Sequence, residues 1–284
     1  MYSTLKNSEI DVSRFSTITQ THQIDGRSDK YSFIPTSRVI SALAEQGWKP
    51  VKIDQKRCNI SDKEGFQKHL VRFRNESMLN TISEKGDIFP EIVLTNRHDG
   101  GSSFQIMAGL FRLVCLNGLC VADAVFNTHR IKHIGYTDEK VHDAVHHVIE
   151  TLPLVRDKVK EFQAISLSND ERLAFGESAL DLIYDDGVWT GEDQNRKIHP
   201  FEIPNKRNTA LSLIKPIRNQ DYDTNLWTTY NTVQEKMIKG RFGLRNDMGY
   251  QIKKARVVKS IDKDVKLNKA LWTLSEKMVE LKRL

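Results

Sequence analysis

The chain has 284 residues, with 43 Lys and Arg against 37 Asp and Glu and a hydrophobic content of 39%. That is enough apolar residues for a packed core and length for one or two domains of about 150 residues, so wholesale disorder is excluded. No apolar run approaches the roughly 20 residues of a membrane-spanning helix, Met1 to Ser16 lack the apolar core of a secretion signal, and three cysteines (Cys58, Cys115, Cys120) make no disulfide framework, which together point to a cytoplasmic protein.

Residues 1–30 are rich in Ser, Thr, Asn, Asp and Gln and read as a mobile arm or a strand that orders on assembly. Patterning starts at Tyr31. Pro35 precedes a helix that Thr36 or Ser37 can cap, with Val39, Ile40, Leu43 and Ala44 at helical spacing and Gly47 as its stop. Two strands follow, from Val51 and from Lys68, around a polar Ser61–Gly65 turn. Their alternation puts Val51, Ile53, Val71 and Phe73 on an apolar face and Lys52, Lys56, Lys68, Arg72 and Arg74 on a cationic one. Glu91–Thr95 is nearly all apolar and reads as a central strand. Asn96 to Gly101 is a tight turn, and Ser103–Met107 is a fourth strand. Periodicity leaves Gly109–Leu119 open between buried strand and helix.

The remainder is mostly helical. Helices are expected over Asp138–Phe162, after the capping box Ser168–Glu171, over Asn225–Lys239 and over Lys266–Leu281. Residues 185–220 read as a long connection, and 239–259 as a basic loop. The expected architecture is α+β: a small antiparallel sheet with a basic hairpin, covered by helices, plus a helical C-terminal extension. The organisation follows as an arm at 1–30, a core at 31–134 and a helical region at 135–284.

Charge is unevenly spread. Bases outnumber acids eleven to five over residues 27–74, acids outnumber bases fourteen to five over 135–195, and bases lead eighteen to eight over 205–284. A basic, acidic, basic pattern suggests a polyanion-binding groove assembled from hairpin and C-terminal loop, with an acidic counter-surface joining subunits. No phosphate-cradling G-x-x-x-x-G-K-[ST], no dinucleotide G-x-G-x-x-G and no H-E-x-x-H is present, so no cofactor and no metal is expected. Cys115 and Cys120 read as buried thiols. His142, His146 and Glu150 share a helix face without further ligands, and His98-Asp99 reads more readily as turn chemistry than as an acid/base or metal pair.

Cations interleaved with aromatics suit nucleic acid, because phosphates meet Lys and Arg while bases stack on rings. The candidates are Lys52, Lys56, Arg57, Lys68, Arg72, Arg74, Arg97 and Arg112 in the sheet region. In the loop they are Lys239, Arg241, Phe242, Arg245, Tyr250, Lys253, Lys254 and Arg256.

Tyr31-Ser32-Phe33-Ile34-Pro35-Thr36, Asn96 to Gln105, Gly109 to Cys115, Asn117-Gly118-Leu119, Asn225 to Tyr230 and Asn268-Lys269-Ala270-Leu271-Trp272 resemble the phage- and plasmid-borne family called domain of unknown function 932. The resemblance spans Asp29 to Leu281. It implies a mobile-element setting and carries no residue roles. The helix, basic hairpin and trailing helices are also similar in architecture to single-strand annealing proteins, including lambda Red beta and the eukaryotic annealing mediators. That likeness implies a non-enzymatic protein that forms rings or filaments on single-stranded DNA and promotes annealing in recombination without a nucleotide cofactor. Two other functions compete with it: an anti-defence protein that binds a host factor, and a metal-dependent nuclease using His98 and Asp99.

Overall fold

A computed structural model describes residues 10–75, 77, 88–112, 117–120, 128–133, 137–184, 188–190, 193–198 and 203–284, with backbone alone at 117–120, 138, 188–190 and 193–198. The chain divides into two compact units, Met1–Val155 and Arg156–Leu284.

The first unit opens with a single turn of 3-10 helix, Val12–Arg14, and a short helix α1, Ser16–Thr19. Thr17 and Ile18 are buried, and the Thr17 hydroxyl donates to Gln55 Oε1 at 3.0 Å. This stretch of the expected mobile arm is therefore packed. Helix α2, Thr36–Glu45, buries Val39, Ile40 and Leu43, and Gly47 turns the chain away at φ 82°. Neither Thr36 nor Ser37 caps it, since the N-cap is Pro35. The Thr36 hydroxyl points inward, 2.8 Å from His69 Nε2, and accepts from Asn96 Nδ2 at 3.0 Å.

The sheet contains β1 (Trp48–Gln55), β2 (His69–Asn75), β3 (Ile88–Asn96), β4 (Phe104–Arg112), β5 (Asn117–Cys120) and β6 (His129–Ile131). Their order is β1-β2-β3-β4-β5, with β6 also on β4, and every pairing is antiparallel. The sequence ambiguity at 109–119 thus resolves as strand: Gly109–Arg112 ends β4 and β5 returns along it. Cys115 lies outside the described residues, and the Cys120 side chain is likewise not described.

A register shift between Pro50 and Lys52 changes the expected faces. Pro50 opposes Phe73 and Ile53 opposes Val71, so Pro50 takes the place expected of Val51. The other face runs through Lys52, Arg72, Val93 and Met107. Leu70, Arg72, Val93, Thr95 and Met107 on it are all buried. The expected open cationic face is not formed: β2 and β3 are largely buried on both sides, and of the two hairpin strands only edge strand β1 keeps exposed cations.

Helix α3, Asp138–Ala164, begins in the first unit and ends in the second, with Pro153 inside it. In the second unit, α4 (Asn169–Tyr184) begins at the expected capping box. The Ser168 N–H donates to Glu171 Oε2 at 2.7 Å, and the Glu171 N–H donates to Ser168 Oγ at 3.2 Å. The expected long connection contains a hairpin, β7 (Val188–Thr190) with β8 (Asp193–Ile198), and α5 (Lys206–Ile214), capped by Asn205.

Helix α6, Leu226–Lys239, is the hub of this unit. Leu226 through Met237 are all buried, because α4, α5 and α7 (Ile261–Lys282) pack around it. Trp227 stacks on Tyr230 at 5.6 Å, Tyr230 meets Trp272 edge-on at 6.0 Å, and Phe162 packs on Trp272 at 5.1 Å. Two long polar side chains of α6 are satisfied by neighbouring helices. Gln234 donates to Asn268 Oδ1 at 2.8 Å, and Lys236 donates to the Ser212 and Lys215 carbonyls at the end of α5. Burial pushes the Lys236 ammonium down to about 8. Helix α7 starts five residues before its expected Lys266, since Ser260 caps it and Asp262 and Asp264 occupy its first turn.

Candidate nucleic-acid interface

The expected basic loop is a structured hairpin. Gly240 ends α6 in the left-handed conformation at φ 60°, and a Cβ there would sit 2.7 Å from the Arg256 carbonyl carbon, so only glycine fits. Phe242 is 4% exposed and pins the base; its carbonyl accepts the Ala255 N–H at 2.9 Å. Strands β9 (Gly243–Arg245) and β10 (Gln251–Lys254) pair antiparallel. Asn246 closes the turn between them: its N–H donates to the Tyr250 carbonyl at 3.0 Å, and its Oδ1 accepts the Tyr250 N–H at 2.9 Å.

The hairpin is braced against the start of α5. The Arg245 N–H donates to Thr209 Oγ1 at 3.0 Å, Asn208 Nδ2 donates to the Asn246 carbonyl at 3.0 Å, and Asn205 Nδ2 donates to Asp247 Oδ1 at 2.8 Å. The Arg245 guanidinium donates to the Gly249 carbonyl, so it stiffens the tip. What the brace holds outward is Met248, Tyr250 and Ile252, with Tyr250 68% exposed.

The cations sort into two groups. Lys239 and Arg241 are drawn to Glu235, a 1% exposed carboxylate on α6 that also receives Arg218. Burial would raise the Glu235 carboxyl, but the Arg218 hydrogen bonds and the Lys239 and Arg218 charges outweigh it and hold it below its ordinary value. Lys253, Lys254, Arg256 and Lys259 have no acidic partner among the described residues. Lys254, Arg256 and Lys259 are exposed. The expectation that Phe242 offers its ring to a base is corrected by its burial; Tyr250 is the available ring.

In the first unit, most of the sequence candidates are engaged. Arg72, 3% exposed, donates to Glu91 Oε2 at 2.9 Å, and Arg74 donates to Glu91 Oε1 at 2.7 Å while lying 3.6 Å from the centre of the Phe111 ring. Lys68 and Arg112 are buried, and Lys52 pairs with Asp54 at 2.8 Å. Of the five cations expected on one strand face, Arg72 and Arg74 are held by Glu91 and Lys68 is buried, so only Lys52 and Lys56 remain exposed. Arg97 donates to Asp99 Oδ2 at 2.6 Å within the turn. Lys56 and Arg57 are exposed, without an acidic partner among the described residues.

The His98-Asp99 pair is built into the turn. His98 is fully buried, its Nε2 lies 2.8 Å from the Thr17 carbonyl, and burial lowers its pKa to about 4. Asp99 accepts from Arg97 and from the Gly101 N–H at 2.9 Å. Among the described residues, no group of three or more His, Cys, Asp or Glu is placed to hold a metal ion. His146 pairs with Glu150 at 3.2 Å on the surface, and His147 packs edge-on against His129 at 4.6 Å. No described helix is long and apolar enough to cross a membrane.

Sequence reasoning missed the two carboxylates that gather the cations. Glu91 had a signal, a lone acid between Pro90 and Ile92 in an otherwise apolar strand. Glu235 looked like one more helix-surface acid.

Fold and surface together define an α+β protein whose second unit presents a braced, basic, aromatic-tipped hairpin. The chain belongs to the family described as Domain of unknown function (DUF932), which matches residues 23–272. Among its relatives, UPF0380 protein YafZ of Escherichia coli (strain K12) is 33% identical over 255 residues, covering 90% of this chain and 85% of the relative. UPF0380 protein YfjQ of the same strain shows the same identity over the same shares. No solved structure matches the chain.

Proposed function

We propose that the protein is a non-enzymatic single-stranded DNA-binding protein of a phage or plasmid, which promotes strand annealing and homologous recombination as an oligomer. The observation that carries this reading is the β9–β10 hairpin: Tyr250 stands 68% exposed beside Lys253, Lys254, Arg256 and Lys259, none of them neutralised by an acid among the described residues. Phosphates would meet these cations while a base stacks on Tyr250, a combination indifferent to base identity. The brace from Asn205, Asn208 and Thr209 supports the reading, since a preorganised hairpin loses little freedom on binding. Neither step needs a nucleotide cofactor.

The test is fluorescence anisotropy with labelled oligothymidine and with duplex over a range of salt, alongside mass photometry. Tighter binding to the single strand is expected, with log affinity falling by about 0.7 per log unit of salt for each phosphate neutralised. Larger assemblies are expected on DNA. Absence of salt-sensitive single-strand binding would sink the reading.

A further inference from the structure

Below the hairpin, within the second unit, lies a cavity of about 200 Å³. Its rim is cationic: Lys253, Lys254, Arg256, Lys259 and Lys263 line it, and no carboxylate among the described residues does. Its floor is apolar, formed by Ile183, Tyr184, Leu244 and Val258. Two contacts shape it. Lys263 reaches back to the Ile183 carbonyl at 3.4 Å, and the Val258 N–H donates to the Ile238 carbonyl at 2.9 Å. Five cationic residues line one hollow with no lining carboxylate among the described residues, an arrangement that favours an anionic occupant. The cavity is smaller than the roughly 300–1,000 Å³ of sites for drug-sized ligands, so it suits a phosphate with its sugar better than a whole cofactor.

We propose that this cavity is a phosphate subsite: it seats one phosphate of a nucleotide unit against the Lys259 and Lys263 side, with the sugar on the apolar floor. The phosphate chemistry stands on the cavity itself; the choice of a DNA strand as its source rests on the function proposed above. A single strand whose base stacks on Tyr250 would then continue into the cavity, which sets the strand's path down the hairpin.

The experiment is a ¹H–¹⁵N NMR titration of the full chain with thymidine, thymidine 5′-monophosphate and an oligothymidine lacking terminal phosphates. The monophosphate is expected to shift the amides of Ser260, Lys263, Ile183 and Tyr184, and thymidine to leave them in place. If the oligothymidine shifts the same amides, the site accepts a backbone diester; if only the monophosphate does, it takes a terminal monoester. Lys263→Gln and, independently, the exposed Lys259→Gln should abolish the monophosphate shifts. Where the diester binds, each should also lower the salt slope for the oligonucleotide by about 0.7, the contribution of one phosphate contact. Tyr250→Ala should leave the monophosphate shifts intact. Monophosphate shifts that are absent, or confined to Met248–Tyr250, overturn the subsite even if the strand binds. Cavity shifts without any oligonucleotide binding overturn the proposed function and leave the subsite standing.

Discussion

Arg72 and Glu91 meet across β2 and β3 at 2.9 Å, and both are shut off from solvent, 3% and 0% exposed. Arg74 closes on the same carboxylate from the strand end at 2.7 Å. A carboxylate buried in an apolar strand is tolerated only because two guanidinium groups satisfy it. Removing it leaves Arg72 as a buried charge without that partner. Glu91→Ala is therefore expected to cost about 3–5 kcal/mol of stability, read by urea unfolding. Replacing Arg72 and Glu91 together with Met and Leu should cost much less. Equal losses in the single and double variants would show that packing, and not the charge pair, sets the stability here.

Acid should destabilise the first unit through His69 and His98. Burial lowers both, to about 3 and about 4, against 6.5 in the unfolded chain. Above pH 6.5 neither state takes the protons, so this contribution is constant. Below it the unfolded chain binds them first, and stability falls until the folded pKa values are reached. At about 1.4 kcal/mol per pKa unit, several kcal/mol are expected to be lost between pH 6.5 and 4. Thermal melts across this range should show the fall, and His98→Gln should flatten it.

Glu235 couples the central helix to the base of the hairpin, since Arg218, Lys239 and Arg241 all converge on it. Glu235→Gln keeps the shape and removes the charge. Stability of the second unit is expected to drop by about 3 kcal/mol, measured by denaturant unfolding. An unchanged midpoint would mean that the cations find other partners.

Gly240→Ala tests the other anchor. Alanine pays about 1–2 kcal/mol in the left-handed region, and its methyl would press on the Arg256 backbone at 2.7 Å. Stability and oligonucleotide affinity should fall together, because the segment that carries the cations must move. Loss of stability with unaltered affinity would place the DNA contacts elsewhere.

Tyr250→Ala should weaken single-strand binding by the roughly 1–3 kcal/mol of one stacked base, while Tyr250→Phe holds near wild type. Binding that survives the alanine variant unchanged would leave the cations without an aromatic partner.

Several features were legible in the sequence: the α+β class, the Ser168–Glu171 capping box, the stop at Gly47, and a β1–β2 hairpin with Lys52 and Arg72 on one face. Their signals are local, read from period, cap chemistry or turn residues. The fate of the cations was not legible, because it depends on acids distant in sequence: 17 residues separate Arg74 from Glu91, and 17 separate Arg218 from Glu235. A strand pattern fixes which side of the ribbon a side chain leaves from, but not whether that side is solvent. Residues 239–259 read as loop because β9 has three residues and β10 four, too short for alternation to register. Tyr250 and the cations after it were nonetheless visible as a composition, and the fold gives that composition a rigid support.

The sheet of the first unit is a meander in which β1 to β5 pair in the order they occur in the chain. Each strand meets its neighbour across a short separation, so every added pairing closes a small loop and costs little chain entropy. Synthesis runs from the N-terminus, and the last sheet strand ends at Ile131. The sheet can therefore zip up while the residues from Arg156 onward are still being made, before the basic hairpin exists. Pulse-labelled hydrogen exchange during refolding should find the β3 and β4 amides protected ahead of those in α6.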